Sequence, residues 1–409
     1  MKIVERVSER SSEYPRYIKE LDGLRGLAIL GVVLFHLHLP GLSLGWAGVQ
    51  LFFVISGYLI TRILLESKGQ PYYFRNFYIR RSLRIFPIYY LVLIGTFVLL
   101  AVTRTDSPLH ALFAGPTANP WQLLPYYLTY TQTIPQIQSQ YTDLPFLTHT
   151  WTLAIEEQFY WIWPFAVLFL NRKAFITLAL TLFFVAICTR MVALVLASDN
   201  PFVMVGILPA QVESLAAGAL VAVAVTAGLG RNALGRAGWI ALAAGSALLV
   251  ALIVRSGMSG FWEPATWAEK PQNVFLLTSL ALLFAGVVAL AVAGSRWTAV
   301  FKHPVLARVG RMSYGIYLYH AFAFLAIDAL VQSVQHDVPW WDTPLGAAEQ
   351  LGLGAAKIAL TYTVAAISWR FVEVPLVSLK DRFTKRARPA TWTESAPPQR
   401  AHARLDPAL

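Results

Sequence analysis

The chain has 409 residues, 56% of them hydrophobic and 13% charged, with a formal net charge of +11. Apolar runs of roughly twenty residues recur along it, which excludes a soluble globular protein and indicates an all-α, polytopic membrane bundle. The single cysteine, Cys188, excludes an intrachain disulfide and a cysteine-based metal site, and a thiol in an apolar run is inert.

The runs predict about ten transmembrane helices, at 23–40, 46–65, 85–103, 150–170, 174–196, 203–226, 237–254, 273–294, 313–334 and 351–370. Of the 33 Lys and Arg, 26 fall in the two termini and the loops on their side, 3 in the opposite loops, and 4 (Arg25, Arg62, Arg190 and Lys357) within spans. The positive-inside rule then places both termini in the cytosol of a multi-pass protein of a bacterial inner or plasma membrane. The basic excess reads as topology, with anionic lipid headgroups of the bilayer as its partner and no nucleic acid. Residues 1–22 are charged and lack a separate apolar core, so they are expected to stay as a cytosolic tail. Residues 23–373 form one transmembrane domain. Residues 374–409, polar and rich in Pro, Ala and Arg, are expected to be a disordered cytosolic tail.

The first span, "LDGLRGLAILGVVLFHLHLP", carries Arg25 and, eleven residues later, His36. Eleven residues turn a helix through three turns plus about 20° and raise it about 16 Å, so both groups share a face. Charge inside a span is costly and usually faces protein or a wet cavity, although Arg25 has the alternative of snorkelling to headgroups. His38 lies about 200° round the helix and reads as interfacial. In "FFVISGYLIT", Ser56 and Gly57 let helices approach, and no base is tied to Ser56 as a nucleophile. "FYIRRSLRIFPIYY" places Arg80, Arg81 and Arg84 at the cytosolic mouth of the third span. Arg81 and Arg84, at i and i+3, present two guanidinium forks on one face, a geometry that suits phosphate oxygens and equally a positive-inside belt.

The loop 104–149 contains "NPWQLLPYYLTYTQTIP", too interrupted by proline to span, and reads as an interfacial or re-entrant segment. Trp121, Tyr126, Tyr127 and Tyr130 are expected there at an outer opening, offering flat faces to a sugar. "HTWTLAIEEQFYWIWP" carries Glu156 and Glu157 two turns from His149, with Tyr160 and Trp163 further on. The two carboxylates point about 100° apart, so one is expected to face a cavity and the other to pair or stay protonated. Glu213, His320 and Asp328 are weaker signals, each consistent with helix packing.

Together these stretches resemble the integral-membrane O-acyltransferases of the acyltransferase-3 type. The resemblance runs through "ELDGLRGLAILGVVLFH", "GVQLFFVISGYLIT", "FYIRRSLRIFPIYY", "HTWTLAIEEQFYWIWP", "GRMSYGIYLYH" and "WRFVEVPL", in the family's order and spacing. Arg25 and His36 match its helix-one arginine and histidine, and Arg81 with Arg84 match its paired arginines. Two positions depart from the pattern: Gln50 stands where an acidic residue is common, and Gln211 where an arginine precedes Glu213. The soluble esterase-like domain that some members append is not expected.

The resemblance implies transfer of an acyl group, often acetyl, from cytosolic acyl-CoA to a hydroxyl of a carbohydrate, a lipid-linked glycan or a small molecule. Arg25, Arg81 and Arg84 would bind the CoA phosphates, and His36 would act as general base. Glu156 would orient that imidazole or contact the acceptor, and Glu157, Tyr160, His149, Trp121 and His320 would lie on the acceptor's path. An acyl-His intermediate is the alternative to direct transfer. No metal and no permanently bound cofactor is expected, since acyl-CoA is a substrate. The rival reading is a proton-coupled transporter or flippase of a glycan or lipid, which accounts for intramembrane His and Glu but gives the paired arginines no task.

Overall fold

The computed structural model describes residues 14–15, 17–39, 41–115, 119–138, 144–196, 201–257, 274–334 and 347–384. Among the described residues the regular elements are helical. The long helices are α1 (Lys19–Phe35), α2 (Gly48–Ser67), α3 (Tyr73–Val102), α4 (Trp151–Phe169), α5 (Arg172–Leu196), α6 (Leu208–Thr226), α7 (Arg231–Ser256), α8 (Leu276–Ala293), α9 (Ser313–Val334) and α10 (Ala347–Ser368). Each predicted span therefore corresponds to a helix, and the protein is a polytopic α-helical membrane bundle.

Eight of these helices have the length and apolar composition of membrane spans; α1 and α4 do not. The reason is visible in their residues. α1 has only 17 residues and includes Lys19, Glu20, Asp22 and Arg25, while α4 runs through Glu156, Glu157 and Gln158. α1 packs inside the bundle and α4 turns one face into it, with Trp161, Ile162 and Phe165 exposed on the other, so their polar groups meet protein and cavities instead of lipid. Burial separates the layers: 72% of the span through α6 and 72% of α8 are buried, against 17% for α7 and 22% for α5. α6 and α8 thus lie inside the bundle, and α5 and α7 on its outside.

Small residues bring the inner helices into backbone contact. A Cβ added at Gly57 would lie 2.0 Å from the Leu215 carbonyl oxygen, and one at Gly218 would lie 1.9 Å from that of Val54, so α2 and α6 touch without side chains between them. On α1, Gly23 and Gly26 are pressed equally closely against the backbone of Phe301 and Leu306, which leaves Arg25 to turn into the bundle.

Two boundaries differ from the sequence reading. α3 begins at Tyr73 instead of near residue 85, so Arg81 and Arg84 lie about 12 and 16 Å inside the helix and not at its mouth. Hydropathy missed these turns because "FRNFYIRRSLR" is polar; in the fold the segment packs on α4, with the Tyr73 and Tyr78 hydroxyls donating to the Pro164 and Trp161 carbonyls. At the other end, helical structure continues from α10 through a π-helical turn at Trp369–Glu373 to Ser378, across the expected domain boundary at 373. Residues 385–409, most of the expected C-terminal tail, and residues 1–13 of the N-terminal tail lie outside the described residues.

A buried ion pair between Arg190 of α5 and Glu213 of α6 ties the inner and outer layers, with Nη1 2.7 Å from Oε1. Arg190 also donates to the carbonyls of Val274 and Ala210 and to Thr278 Oγ1, which in turn donates to Glu213 Oε2. Arg190→Ala is expected to destabilise the bundle by about 3–5 kcal/mol, because it leaves Glu213 buried without its counter-charge. A thermal unfolding midpoint in detergent equal to the unsubstituted protein's would contradict this.

Candidate functional site

Helices α1, α2, α3, α4 and the start of α9 enclose a cavity with about 760 Å³ of empty space, lined by Arg25, Ser56, Arg81, Arg84, Glu156 and Tyr160 among others. The spacing of Arg81 and Arg84 puts both on the face of α3 that looks inward. The Arg81 guanidinium lies 5.3 Å from the centre of the Tyr160 ring, and the Tyr160 hydroxyl is hydrogen-bonded to Ser56 Oγ. Arg25 stands 3.7 Å from Asp22, one turn earlier on α1. Glu156 has Arg81, Ser56, Arg25 and Tyr160 around it. The lining therefore carries three guanidinium groups and one carboxylate, and guanidinium forks match the oxygens of an anionic ligand such as a phosphate.

A second and larger cavity, with about 1810 Å³ of empty space, lies towards the other end of α1. His36, His149 and His320 line it. The ring centres of His36 and His320 are 4.8 Å apart, as are those of His149 and His320. His36 caps the C-terminus of α1, and its Nδ1 lies 2.8 Å from the Val32 carbonyl oxygen. A carbonyl only accepts, so Nδ1 carries the hydrogen and Nε2 keeps its lone pair, the form in which an imidazole acts as a base. His320 is held in the same way, Nδ1 to the Tyr317 carbonyl at 2.6 Å, with Nε2 buried and without a hydrogen-bond partner. His149 sits in the 3₁₀ turn before α4 with both ring nitrogens buried and unpartnered.

The two cavities share three lining residues, Val49, Thr152 and Tyr317. The Tyr317 hydroxyl donates to the His149 carbonyl and lies 2.6 Å from Thr152 Oγ1. A thin partition of one aliphatic and two hydroxyl side chains thus separates the arginines from the histidines.

The structure sorts the expected site residues into these compartments. Arg25, Arg81, Arg84, Glu156 and Tyr160 line the first cavity; His36, His149 and His320 line the second. Glu156 therefore faces the arginines and does not orient His36, because it lies a full turn beyond Thr152 on α4, on the arginine side of the partition. Glu157, about 100° round the helix, lines neither cavity; it is buried and its Oε1 has no hydrogen-bond partner. Trp121 packs on Phe97 with ring centres 5.2 Å apart and is also outside both. Tyr127 and Tyr130 are buried in the core, Tyr130 stacked on Tyr89 at 4.4 Å, so neither offers a free face to a sugar. His38, expected at the interface, lines the mouth of the histidine cavity. Sequence reasoning passed over Thr152 and Tyr317 and read Ser56 only as a point of helix approach; their hydroxyls acquire meaning through contacts between helices.

A family model described as an acyltransferase domain matches residues 18–349 of the chain. The chain belongs to the acyltransferase-3 family. Among its curated relatives, the peptidoglycan O-acetyltransferase OatA of Listeria monocytogenes is 28% identical over 379 residues, covering 90% of this chain and 57% of that protein. The O-acetyltransferase OatA of Staphylococcus aureus is 29% identical over 382 residues, covering 88% and 57%. This acyltransferase-3 chain thus spans little more than half the length of these relatives. No solved structure matches it. The two departures from the family pattern, Gln50 and Gln211, face each other: Gln50 Nε2 donates to Gln211 Oε1 at 2.8 Å, and Ser214 Oγ donates to Gln50 Oε1 at 2.7 Å. The two positions noted as departures are thus partners in one neutral, buried hydrogen-bond network.

Proposed function

We propose that the protein transfers an acyl group, acetyl by the names of its relatives, from acyl-CoA to a hydroxyl of an envelope glycan. The observation that carries this reading is the meeting of an arginine-lined and a histidine-lined cavity at Val49, Thr152 and Tyr317. The arginine end lies on the side of the N-terminus, which the distribution of basic residues assigns to the cytosol. There Arg25, Arg81 and Arg84 hold the phosphates of the donor, and its thin arm carries the thioester up to the partition. The acceptor occupies the histidine cavity from the opposite face.

In the transfer step, His36 Nε2 takes the proton of the acceptor hydroxyl as that oxygen attacks the thioester carbon. The carbon–sulfur bond breaks, and the proton passes from His36 to the departing thiolate. Thr152 and Tyr317 line the boundary the acyl group must cross, their hydroxyls bonded to each other and, from Tyr317, to the His149 carbonyl.

Purified protein in sealed vesicles, given acetyl-CoA labelled in the acetyl group outside and a glycan inside, tests the reading. Labelled glycan supports it; glycan movement with no consumption of acetyl-CoA establishes a transporter instead. Val49→Trp, which fills the junction from α2, is expected to leave acetyl-CoA binding intact and to lower transfer about 100-fold, the loss typical when reacting groups are displaced by an ångström. Undiminished transfer in this variant would show that the acyl group does not pass there.

A further inference from the structure

One feature of the histidine cavity has no part in the transfer step. Lys357 of α10 and Asp328 of α9 form an ion pair in its wall, Nζ 2.6 Å from Oδ1, with side chains only 14% and 13% exposed. The ammonium group also stands 5.4 Å from the centre of the Phe324 ring. Stability alone does not call for this pair, since apolar residues of similar volume commonly replace a buried ion pair without loss. Charged groups on membrane helices more often mark a substrate path.

Position indicates what the pair meets. Asp328 lies eight residues beyond His320 on α9, about 12 Å further along the helix, and both line the same cavity. That distance exceeds the length of one sugar ring. A closed ion pair is neutral overall: an anionic ligand would be opposed by Asp328, and a cationic one by Lys357. What it offers side by side is carboxylate oxygens that accept and ammonium hydrogens that donate, a match for neighbouring hydroxyls. Trp151 in the same lining adds an apolar surface.

We propose that Asp328 and Lys357 form a second acceptor subsite, which binds a sugar ring remote from the acylated one, so that the acceptor is an oligosaccharide lying along α9. The proposal rests on the transferase reading for the position of the acylated hydroxyl near His36. Binding of a glycan by the pair does not depend on it.

The test compares N-acetylglucosamine with its linear trisaccharide, using the full chain in nanodiscs. Binding is followed by tryptophan fluorescence, transfer by label from acetyl-CoA. The trisaccharide is expected to bind more tightly than the single sugar and to be the better acceptor. In Lys357→Met the ratio of trisaccharide to monosaccharide affinity, and of their kcat/KM, should fall by roughly ten- to a hundredfold, the size of one lost hydrogen bond to a charged group. Because Lys357→Met strands a buried carboxylate, the double variant Lys357→Met with Asp328→Leu is measured beside it. An unchanged ratio in the folded double variant, or no preference for the trisaccharide in the unsubstituted protein, overturns the subsite. Tighter trisaccharide binding, lost in the variants, with no transfer of label would sustain the subsite and refute the transferase reading.

Discussion

Replacing His36 with alanine is expected to lower acyl transfer by about 10²–10⁴, the usual contribution of a general base, with acyl-CoA binding retained. The separation follows from the two compartments: His36 lines the cavity beyond the partition, and the arginines line the one before it. The Nδ1 hydrogen of His36 is committed to Val32, so Nε2 is the atom that must accept the proton. His36→Gln keeps a polar group of similar reach but no basic nitrogen, and it should fail as badly as alanine. Added imidazole should partly restore His36→Ala, because the cavity has room for a free ring. A His36→Ala protein that keeps more than a tenth of the original rate would remove His36 from the chemistry. Equal loss of donor binding would instead make His36 part of the arginine site.

Much of the fold was legible because lipid imposes a strong length and polarity filter on helices. Eight of the predicted spans meet that filter, and in the other two, α1 and α4, Arg25, His36 and Glu156 stood out as groups that lipid would not tolerate. The filter says nothing about which polar groups meet one another. Arg81 and Glu156 were each visible, yet their shared cavity depends on the register between α3 and α4, which no local pattern encodes. His149 and His320 were placed on the acceptor's path, but their grouping with His36 depends on α1, α4 and α9 bringing three imidazoles together. Arg190 was counted only as a charge within a span, although its partner Glu213 was noted separately; their pairing needed the contact between α5 and α6. The aromatic segment failed in the opposite sense. Tyr127 and Tyr130 looked interfacial by composition, but the short helix Leu124–Leu128 lies against α3, where the Tyr89 and Tyr90 hydroxyls donate to the Tyr127 and Leu128 carbonyls, and both rings are buried.

Alanine at Arg81 and at Arg84 is expected to weaken acyl-CoA binding, with each lost charged hydrogen bond worth about 1.5–3 kcal/mol, or roughly ten- to a hundredfold in affinity. The two positions should not be equal. Arg84 is exposed, so water competes for its contacts, whereas Arg81 lies deeper, over Tyr160 and beside Glu156. Arg81→Ala should therefore cost more, and the double variant more than either. Lysine at Arg81 keeps the charge but loses the planar fork, and should recover only part of the affinity. The donor offers an internal control. Acetyl-pantetheine has the thioester and the arm but no nucleotide phosphates, so its weak binding should be insensitive to both substitutions. Raising the salt concentration should likewise weaken binding of acetyl-CoA and not of the phosphate-free analogue. If acetyl-CoA bound the double variant as tightly as the original protein, the arginines would be no more than the basic belt of a membrane protein. The donor would then have to reach the partition by another route.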